Sequence, residues 1–315
     1  MPTSPSVTVL AGGGGGAKLA HGLSQVVPDV TVVVNTADDT ELHGLWISPD
    51  VDTVLYTLAG RIDPVKGWGL AGDTDAVLGA MAELGEDTWF HLGDKDLATH
   101  VVRTARLRAG TTLSQVTEQL RTALHVSARV LPMSDDRVAT TLRTAHGTLG
   151  FQEYFVRRQH RDEVLGVSFE GVEAAHPASG VLEALTAADV VVLGPSNPFV
   201  SIGPVLAVPG VRDALATSGA RRIAVSPVVG GRVLKGPAAH MLSTLGHDVS
   251  ALGVARLYAG LVDVFVVDEQ DAHLAPAIRE LGMAVHPART VMGPDAEDRA
   301  RFARDLLAIA AVAHP

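Results

Sequence analysis

The sequence contains no cysteine among its 315 residues. Disulfide bonds, thiolate catalysis and cysteine-ligated zinc or iron–sulfur centres are therefore excluded. Thirteen histidines are present, but none has the H-E-x-x-H spacing or another spacing typical of zinc ligands. The residue types thus give no indication of a zinc enzyme.

Long apolar runs and an excess of basic residues are also missing. Every uninterrupted apolar stretch of the sequence is far shorter than the ~20 residues of a membrane span. Met1–Ser6 has neither the basic residues nor the apolar run of a signal peptide. The formal net charge of −10 argues against a general nucleic-acid binder. We therefore expect a cytoplasmic protein that binds neither membranes nor nucleic acids.

What is present indicates an α/β fold with a large core, since 47% of residues are apolar and 19% are charged. Val7–Ala11 and Val30–Asn35 are predicted strands separated by a glycine run and a helix, which is the opening of a parallel sheet. Further strands are predicted at Asp189–Leu193, Arg222–Val225, Val262–Val267 and Met283–His286, and a last helix at Asp295–Val312. The prediction is a Rossmann-like, mostly parallel sheet with helices on both faces.

The middle of the chain follows another pattern. Helical periodicity at about 70–84, 97–107 and 113–124 surrounds a short predicted strand at Trp89–Leu92. Alternating segments at 138–144, 148–157 and 164–169, with a turn at Gly147, predict antiparallel strands. We assign residues 1–92 and 175–315 to a nucleotide-binding core, and residues 93–174 to a helical and antiparallel-β insertion.

The first candidate site is the glycine run that follows the first strand. Glycine allows close approach of the backbone to a phosphate, and the following helix supplies free N–H groups. The run is not a Walker loop, because Lys18 is followed by Leu19. It is a poor nicotinamide site, because Asn35 replaces the acidic residue that would hold the ribose. A packing turn alone is the alternative. The candidate residues are Gly12, Gly13, Gly14, Gly15, Gly16, Lys18 and Asn35.

The second candidate site is acidic. Five carboxylates follow within fifteen positions: Asp38, Asp39, Glu41, Asp50 and Asp52. Beside a phosphate they are repulsive unless a divalent cation bridges them, and Mg²⁺ favours one or two carboxylates plus substrate oxygens. A solvated acidic loop is the alternative.

Later loops add polar groups at predicted strand ends. Ser196 and Asn197 could bind a base or sugar, and the alternative is a helix start capped by Ser201. Ser226 follows the next strand. Asp94 or Asp96 could cap a helix, Arg137 could pair with phosphate or with a neighbouring aspartate, and His100 lies on a predicted helix.

Six stretches, taken in their order along the chain, are informative together: Gly12–Leu23 (GGGGGAKLAHGL), Asn35–Asp39 (NTADD), Ile47–Gly60 (ISPDVDTVLYTLAG), Trp68–Thr74 (WGLAGDT), Leu92–His100 (LGDKDLATH) and Gly194–Leu206 (GPSNPFVSIGPVL). As a set they resemble the 2-phospho-L-lactate transferase family of coenzyme F-420 biosynthesis. One departure is Ala37, where the family usually has glycine.

The resemblance implies a reaction. The donor is a guanosine diphosphate derivative of phospholactate or phosphoenolpyruvate, and the two are not distinguished. The ribityl hydroxyl of a 5-deazaflavin attacks the phosphorus that carries the three-carbon acid, and GMP leaves. The family also implies a homodimer. The insertion would then cover the acceptor site.

The roles of particular residues are hypotheses at this point. We expect the glycine run to hold the diphosphate, and Asp38 and Asp52 to hold Mg²⁺ directly or through water, with Asp50 in support. Asp50 or Asp52 could instead orient the acceptor hydroxyl. The guanosine half is assigned to Ser196, Asn197 and Ser226, and the deazaflavin ring to Trp68.

Two rival interpretations remain at this point. A nucleotide-sugar-binding metabolic regulator shares the glycine loop and an Asp-Asp loop, but lacks the stretches at 92–100 and 195–204. A nicotinamide-dependent dehydrogenase is disfavoured by Asn35.

Overall fold

A computed structural model describes residues 4–312 of the chain. Its strands are β1 (Val7–Ala11), β2 (Val30–Val34), β3 (Thr40–Leu42), β4 (Leu45–Ile47), β5 (Arg129–Pro132), β6 (Ala139–Thr144), β7 (Gly147–Gly150), β8 (Val164–Glu170), β9 (Val190–Leu193), β10 (Arg221–Val225), β11 (Val228–Val229), β12 (Arg232–Val233), β13 (Val264–Asp268) and β14 (Ala284–Ala288).

Its α-helices are α1 (Gly13–Ser24), α2 (Pro49–Leu58), α3 (Ala76–Glu83), α4 (Asp94–Arg108), α5 (Leu113–Ala123), α6 (Val181–Ala187), α7 (Gly203–Ala207), α8 (Val211–Thr217), α9 (Ala238–Thr244), α10 (Ala251–Tyr258), α11 (Ala275–Arg279) and α12 (Ala296–Ala311). Single π-helical turns lie at Glu153–Arg157 and Pro198–Ile202, and 3₁₀ segments at Val172–Ala174 and Glu269–Leu274.

The centre of the fold is a seven-stranded sheet with the order β14-β13-β10-β9-β1-β2-β5. All of its strand pairs are parallel. The chain runs outward from β1 to β2 and β5, then returns to the other side of β1 at β9 and runs outward again. The direction therefore reverses between β1 and β9, and this switch point is where an open parallel sheet binds its ligands.

The strands form because they are short, β-branched and apolar on both sides, as in the buried segments VTVVV of β2 and VVVL of β9. Alternate side chains enter two cores. One face packs on α6, α8, α10 and α11, and the other on α1, α2, α5 and α12. The predicted Rossmann-like sheet with helices on both faces is confirmed.

The smaller sheets lie outside this core. β6 pairs with β7 and β8 in an antiparallel sheet of three strands, as the alternating pattern predicts. β3 and β4 form an antiparallel hairpin that the sequence did not predict. β5 falls inside the range 93–174 but is the edge strand of the main sheet next to β2. The division into a core and an insertion stays a prediction.

Two local predictions are wrong. Trp89–Leu92 is not a strand. A short apolar run can equally form a packed loop, and here the Trp89 and Phe90 rings make an edge-to-face contact. The segment 148–157 is extended only to Gly150 and then turns into the π-helical segment. The closing helix is confirmed, with Asp295 accepting from the Glu297 amide as its N-cap.

No single helix within residues 4–312 combines the length and apolarity of a membrane span. Two consecutive helical segments, 198–207 and 211–217, reach that length and apolarity only when taken together, and they are bent by 86° relative to each other.

Helices α1 and α12 approach closely at Gly22. A Cβ on Gly22 would lie 2.3 Å from the Arg299 carbonyl oxygen, which is backbone and cannot move aside cheaply. We expect Gly22→Ala to destabilise the fold by about 1–3 kcal/mol, as overpacking does. Urea denaturation measures the change in the free energy of unfolding.

Gly79 in α3 is the matched control, because its Cβ would meet nothing within 4 Å. Gly79→Ala should leave stability unchanged or raise it by up to about 1 kcal/mol, the difference in helix propensity. Equal changes in the free energy of unfolding for the two substitutions would show that the packing of α1 against α12 does not require glycine at position 22.

Candidate functional site

The glycine run connects β1 to α1 at the switch point. Gly12 is extended and occupies the N-cap position, and Gly13 has a positive φ of 66°. The first turn of α1 has no side-chain cap and no acidic residue. Apart from the Gly13 amide, which donates to Asp50, its N–H groups are therefore available to an anion, and the helix dipole favours negative charge there.

The loop after β9 packs against this run. The Ser196 hydroxyl donates to the Gly12 carbonyl at 2.8 Å. A Cβ on Gly15 would lie 2.3 Å from the Pro195 carbonyl oxygen, and one on Gly12 would lie 2.5 Å from Ser201 Cβ. Glycine is required at these positions because another backbone and another side chain occupy the space.

Two residues predicted to contact guanosine have other partners in the structure. Asn197 is the N-cap of the segment 198–202, where its Oδ1 accepts from the Phe199 amide at 2.9 Å. The alternative cap, Ser201, does not serve. Ser226 is 1% exposed and its hydroxyl donates to the Val228 carbonyl at 2.9 Å. Together with Ser196, these hydroxyl and amide groups shape loops.

Lys18 and Trp68 have different surroundings in the structure. Lys18 donates to the Met292 carbonyl at 3.0 Å, and burial, with Arg299 nearby, lowers the pKa of its ammonium group. Trp68 is 44% exposed, with Lys66 Nζ 5.2 Å from its ring centre. The carbonyl of the preceding Gly67 would be 3.8 Å from a Cβ on Gly14. Trp68 is thus the exposed aromatic close to the run.

Asp38 and Asp50 are brought together by Asn35, which is fully buried at the end of β2. Asn35 Nδ2 donates to Asp38 Oδ2 and to Asp50 Oδ2, each at 3.0 Å. It also lies 3.2 Å from the Val200 carbonyl in the second half of the chain. Asp50 Oδ2 would be 2.9 Å from a Cβ on Gly12. The two carboxylates therefore lie beside the glycine run.

The charge state of this pair follows from its burial. Desolvation, reinforced by the Asp50 charge, raises the pKa of Asp38 well above its usual range. Desolvation raises the pKa of Asp50 to about 6, although hydrogen bonds from Asn35 and the Gly13 amide oppose the shift. Asp38 Oδ1 is buried and has no hydrogen-bond partner within residues 4–312. The pair therefore favours a proton or a cation.

Asp39 faces the hairpin β3–β4. Its Oδ2 accepts from Ser48 Oγ at 2.6 Å and from Trp46 Nε1 at 3.0 Å. Desolvation nevertheless raises its pKa to about 8, against the lowering effects of Ser48 and Arg103. Asp39 thus anchors the loop that carries Asp38.

Asp52, the second residue of the predicted metal pair, is paired with a buried cation. Both of its carboxylate oxygens accept from the fully buried Arg103, one of them at 3.0 Å. His100 Nδ1 lies 3.7 Å from the same carboxylate, and His100 Nε2 lies 3.5 Å from Asp96. Asp52 therefore belongs to an ion-pair cluster between α2 and α4.

Two carboxylate groups are thus candidates for a metal ion. Ligand atoms of Asp52, Asp96 and His100 lie within 4.8 Å of one another, but the Arg103 guanidinium occupies both Asp52 oxygens and repels a cation. Asp38 and Asp50 have a buried oxygen without a partner, only hard oxygen donors, and the glycine run beside them. They fit Mg²⁺, which takes one or two carboxylates and completes its shell with substrate oxygens.

The sequence analysis missed Arg103, although it lies three positions after His100 and therefore on the same face of α4. It also missed Gln152, whose Nε2 donates to the Asp38 carbonyl at 2.8 Å. No local pattern distinguishes Gln152 from a surface residue. Within residues 4–312, Arg137 forms no ion pair with an aspartate, and its guanidinium lies 5.6 Å from the centre of the Trp46 ring.

A parallel α/β sheet with helices on both faces and a glycine loop at its switch point defines a Rossmann-like protein. The family described as 2-phospho-L-lactate transferase CofD matches residues 7–292. The chain belongs to this family of transferases.

Relatives of two kinds cover nearly the whole chain. A 2-phospho-L-lactate transferase of Methanosarcina acetivorans is 43% identical over 90% of this chain and 92% of its own length. A phosphoenolpyruvate transferase of Kitasatospora aureofaciens is 44% identical over 96% of this chain and 97% of its own length. Both names concern transfer of a three-carbon phosphorylated acid.

Among solved structures, a UPF0052 family member from Bacillus halodurans has a TM-score of 0.64, covers 98% of this chain and 99% of its own, and is 19% identical. At this identity the likeness concerns the fold alone.

The raised pKa values predict how stability depends on pH without metal. Folded Asp39 and Asp50 hold protons more tightly than in the unfolded chain, where an aspartate pKa is about 3.9. The stabilisation is complete below about pH 4 and is lost as the pH rises to about 6 for Asp50 and about 8 for Asp39. We expect the melting temperature in EDTA to fall over this range.

Mg²⁺ should reverse the trend, because it binds the deprotonated carboxylates. Its stabilising effect should grow from about pH 5 to about pH 8. Asp39→Asn should flatten the part of the EDTA curve above about pH 6, since it removes the group that titrates there. A melting temperature independent of both pH and Mg²⁺ would contradict the assignment of buried, titrating carboxylates.

Proposed function

We propose that the protein transfers a phospholactyl or phosphoenolpyruvyl group from a guanosine diphosphate donor to the ribityl hydroxyl of a 5-deazaflavin, in coenzyme F-420 biosynthesis. The observation that carries this proposal is the position of the bridged pair Asp38 and Asp50 beside the uncapped N-terminus of α1. Transfer of this type needs alignment and charge neutralisation more than covalent catalysis. The site offers both.

The donor would lie with its diphosphate on the glycine run. The N–H groups of the first turn of α1 bind phosphate oxygens, and the loop 195–201 fixes the run from the other side. Lys18 is turned towards Met292, so the phosphate contact expected of it passes to the backbone. The negative charge of the protein is locally offset by these N–H groups and by a bound cation.

Asp38 and Asp50 would hold Mg²⁺, which neutralises the phosphate oxygens and stabilises the charge that develops on the leaving group. The acceptor oxygen forms the new bond to the phosphorus that carries the three-carbon acid, and the bond from this phosphorus to the bridging oxygen of GMP breaks. We assign the hydroxyl proton to Asp50, through the carboxylate oxygen that does not bind the metal.

The acceptor ring is assigned to the exposed face of Trp68. The aromatic residues of the insertion are less suitable, because Tyr154 is fully buried and Phe151 stacks on Phe155 at 5.4 Å between ring centres. Trp68 is followed by a loop that reaches Asp73, whose carboxylate accepts from the Lys95 and Asp96 amides at the start of α4. The ring platform is thus tied to the helix that faces Asp52.

Removal of the Asp38 charge tests the metal assignment. Asp38→Asn should lower kcat by about 10²-fold or more at ordinary Mg²⁺ levels, comparable with loss of a positioned catalytic group. GDP binding in the absence of metal should survive, because the N–H groups of α1 remain. Steady-state kinetics and GDP titration in EDTA measure the two effects.

Glu41→Gln is the matched control, since Glu41 lies in the same acidic segment but is exposed. It should retain wild-type activity. Asp38→Asn that keeps most of the activity would exclude Asp38 as a metal ligand.

The reaction itself is tested by mass spectrometry. Purified protein, Mg²⁺ and the deazaflavin alcohol are incubated separately with the guanosine diphosphate derivatives of phospholactate and of phosphoenolpyruvate. We expect a phosphodiester adduct together with GMP, and the productive donor identifies the substrate. Adenosine analogues should be poorer donors.

Protein that is folded and binds GDP, yet forms no adduct with either donor, would contradict the transferase assignment. The nucleotide-sugar-binding regulator would then be tested by titration with uridine diphosphate sugars. Equal use of guanosine and adenosine donors would leave the transfer reaction in place and remove base selection from the loops of the second half.

A further inference from the structure

We propose that Arg103 is a positioning residue for the Asp38–Asp50 pair, acting through Asp52. This inference rests on the proposed function in one respect, that Asp38 and Asp50 bind the divalent cation. It assigns Asp52 to a buried clamp between α2 and α4 rather than to the metal or the reacting hydroxyl.

The geometry of the clamp is specific. Arg103 lies in α4, is fully buried, and engages both oxygens of Asp52 through its two terminal nitrogens. A planar guanidinium that pairs with a carboxylate in this way fixes orientation as well as distance. Asp52 is in the first turn of α2, two positions after Asp50. The clamp therefore sets the direction in which this turn presents Asp50.

The other connections of this turn are weak. Ser48 is the N-cap of α2, but its side chain makes no cap hydrogen bond and instead donates to Asp39. The Asn35 side-chain amide has two hydrogens for three acceptors, which are Asp38, Asp50 and the Val200 carbonyl. Its hydrogen bond to Asp50 is therefore shared. No other described charged group pairs with Asp52 as closely as Arg103 does.

A second tie between the same helices lies one turn further along. Tyr56 in α2 donates to Asp96 at 2.7 Å and lies 2.8 Å from the Thr99 hydroxyl in α4. Apolar residues of α2 are also buried in the core. Loss of the clamp would therefore leave α2 attached to α4 while its first turn, with Asp50, becomes free to shift.

The alternative is that Asp52 is itself a metal ligand, together with Asp96 and His100. Arg103 would then hold Asp52 away from the cation, and its removal would expose a further carboxylate. The two interpretations predict opposite changes in metal affinity when Arg103 is replaced.

The experiment measures Mn²⁺ binding by the electron paramagnetic resonance signal of the free ion, with the full-length protein and without substrates. Arg103→Met should weaken Mn²⁺ binding about tenfold or more, the loss typical when a supporting residue of a metal site is removed. It should also lower kcat, while GDP binding in EDTA stays unchanged. Arg103→Lys keeps the charge but not the planar guanidinium. Its Mn²⁺ affinity should lie between those of the wild type and Arg103→Met.

The double variant Arg103→Met with Asp52→Leu separates positioning from charge neutralisation. Replacement of a buried ion pair by apolar residues often restores stability. We expect its melting temperature to recover relative to Arg103→Met, while Mn²⁺ affinity and kcat stay low. Arg106→Met, on the same helix but partly exposed, is the control and should bind Mn²⁺ as the wild type does.

Several outcomes overturn the proposal. Mn²⁺ affinity that is unchanged or tighter in Arg103→Met would assign Asp52 to the metal or to no role. Recovery of metal affinity in the double variant would reduce Arg103 to charge neutralisation. If Arg103→Met does not fold, the lysine and double variants decide by the same criteria. Failure of the proposed metal site itself is distinct, because the wild-type protein would then bind no Mn²⁺.

Discussion

The site depends on the hydrogen bonds that the Asn35 side-chain amide donates to Asp38 and Asp50. Two carboxylates of like charge do not lie side by side in a protein interior unless a donor or a cation holds them. Asn35 supplies donors to Asp38 and Asp50 and also contacts the Val200 carbonyl. A single buried amide at the end of β2 thereby connects the acidic loop, the start of α2 and the second half of the chain.

The buried acidic groups around this amide differ in how their negative charge is compensated. Asp52 has a permanent cation in Arg103 and needs no other. Asp38 and Asp50 have only hydrogen-bond donors, so burial raises their pKa values. Because these carboxylates must lose their protons to bind a divalent cation, cation binding releases protons and strengthens as the pH rises. This difference, rather than the number of carboxylates, distinguishes the two groups.

The parallel sheet makes this arrangement possible. β1 and β9 are neighbours although some 180 residues separate them in the sequence, and the register pairs Val7 with Val190 and Leu10 with Leu193. Their carboxyl ends therefore meet, and the glycine run is packed against the loop 195–201. Membership of the CofD family agrees with this architecture, since the matched region runs from β1 to the segment after β14.

The sequence by itself determined the parallel α/β class, the glycine loop, the family and the acidic segment, because each depends on local periodicity or on a contiguous motif. It did not determine β5, whose strand character depends on pairing with β2, or the end of the β7 pattern at Gly150. Only the tertiary structure decided which carboxylates share a site. Asp38 and Asp50 meet through Asn35, and Asp52 turns to Arg103, because the orientation of the first turn of α2 is set by α4, about fifty residues later. Ser196, Asn197 and Ser226 have internal hydrogen-bond partners for the same reason. A polar residue at a strand end is a candidate ligand in the sequence, and only packing decides whether its hydrogen bonds are already satisfied within the protein.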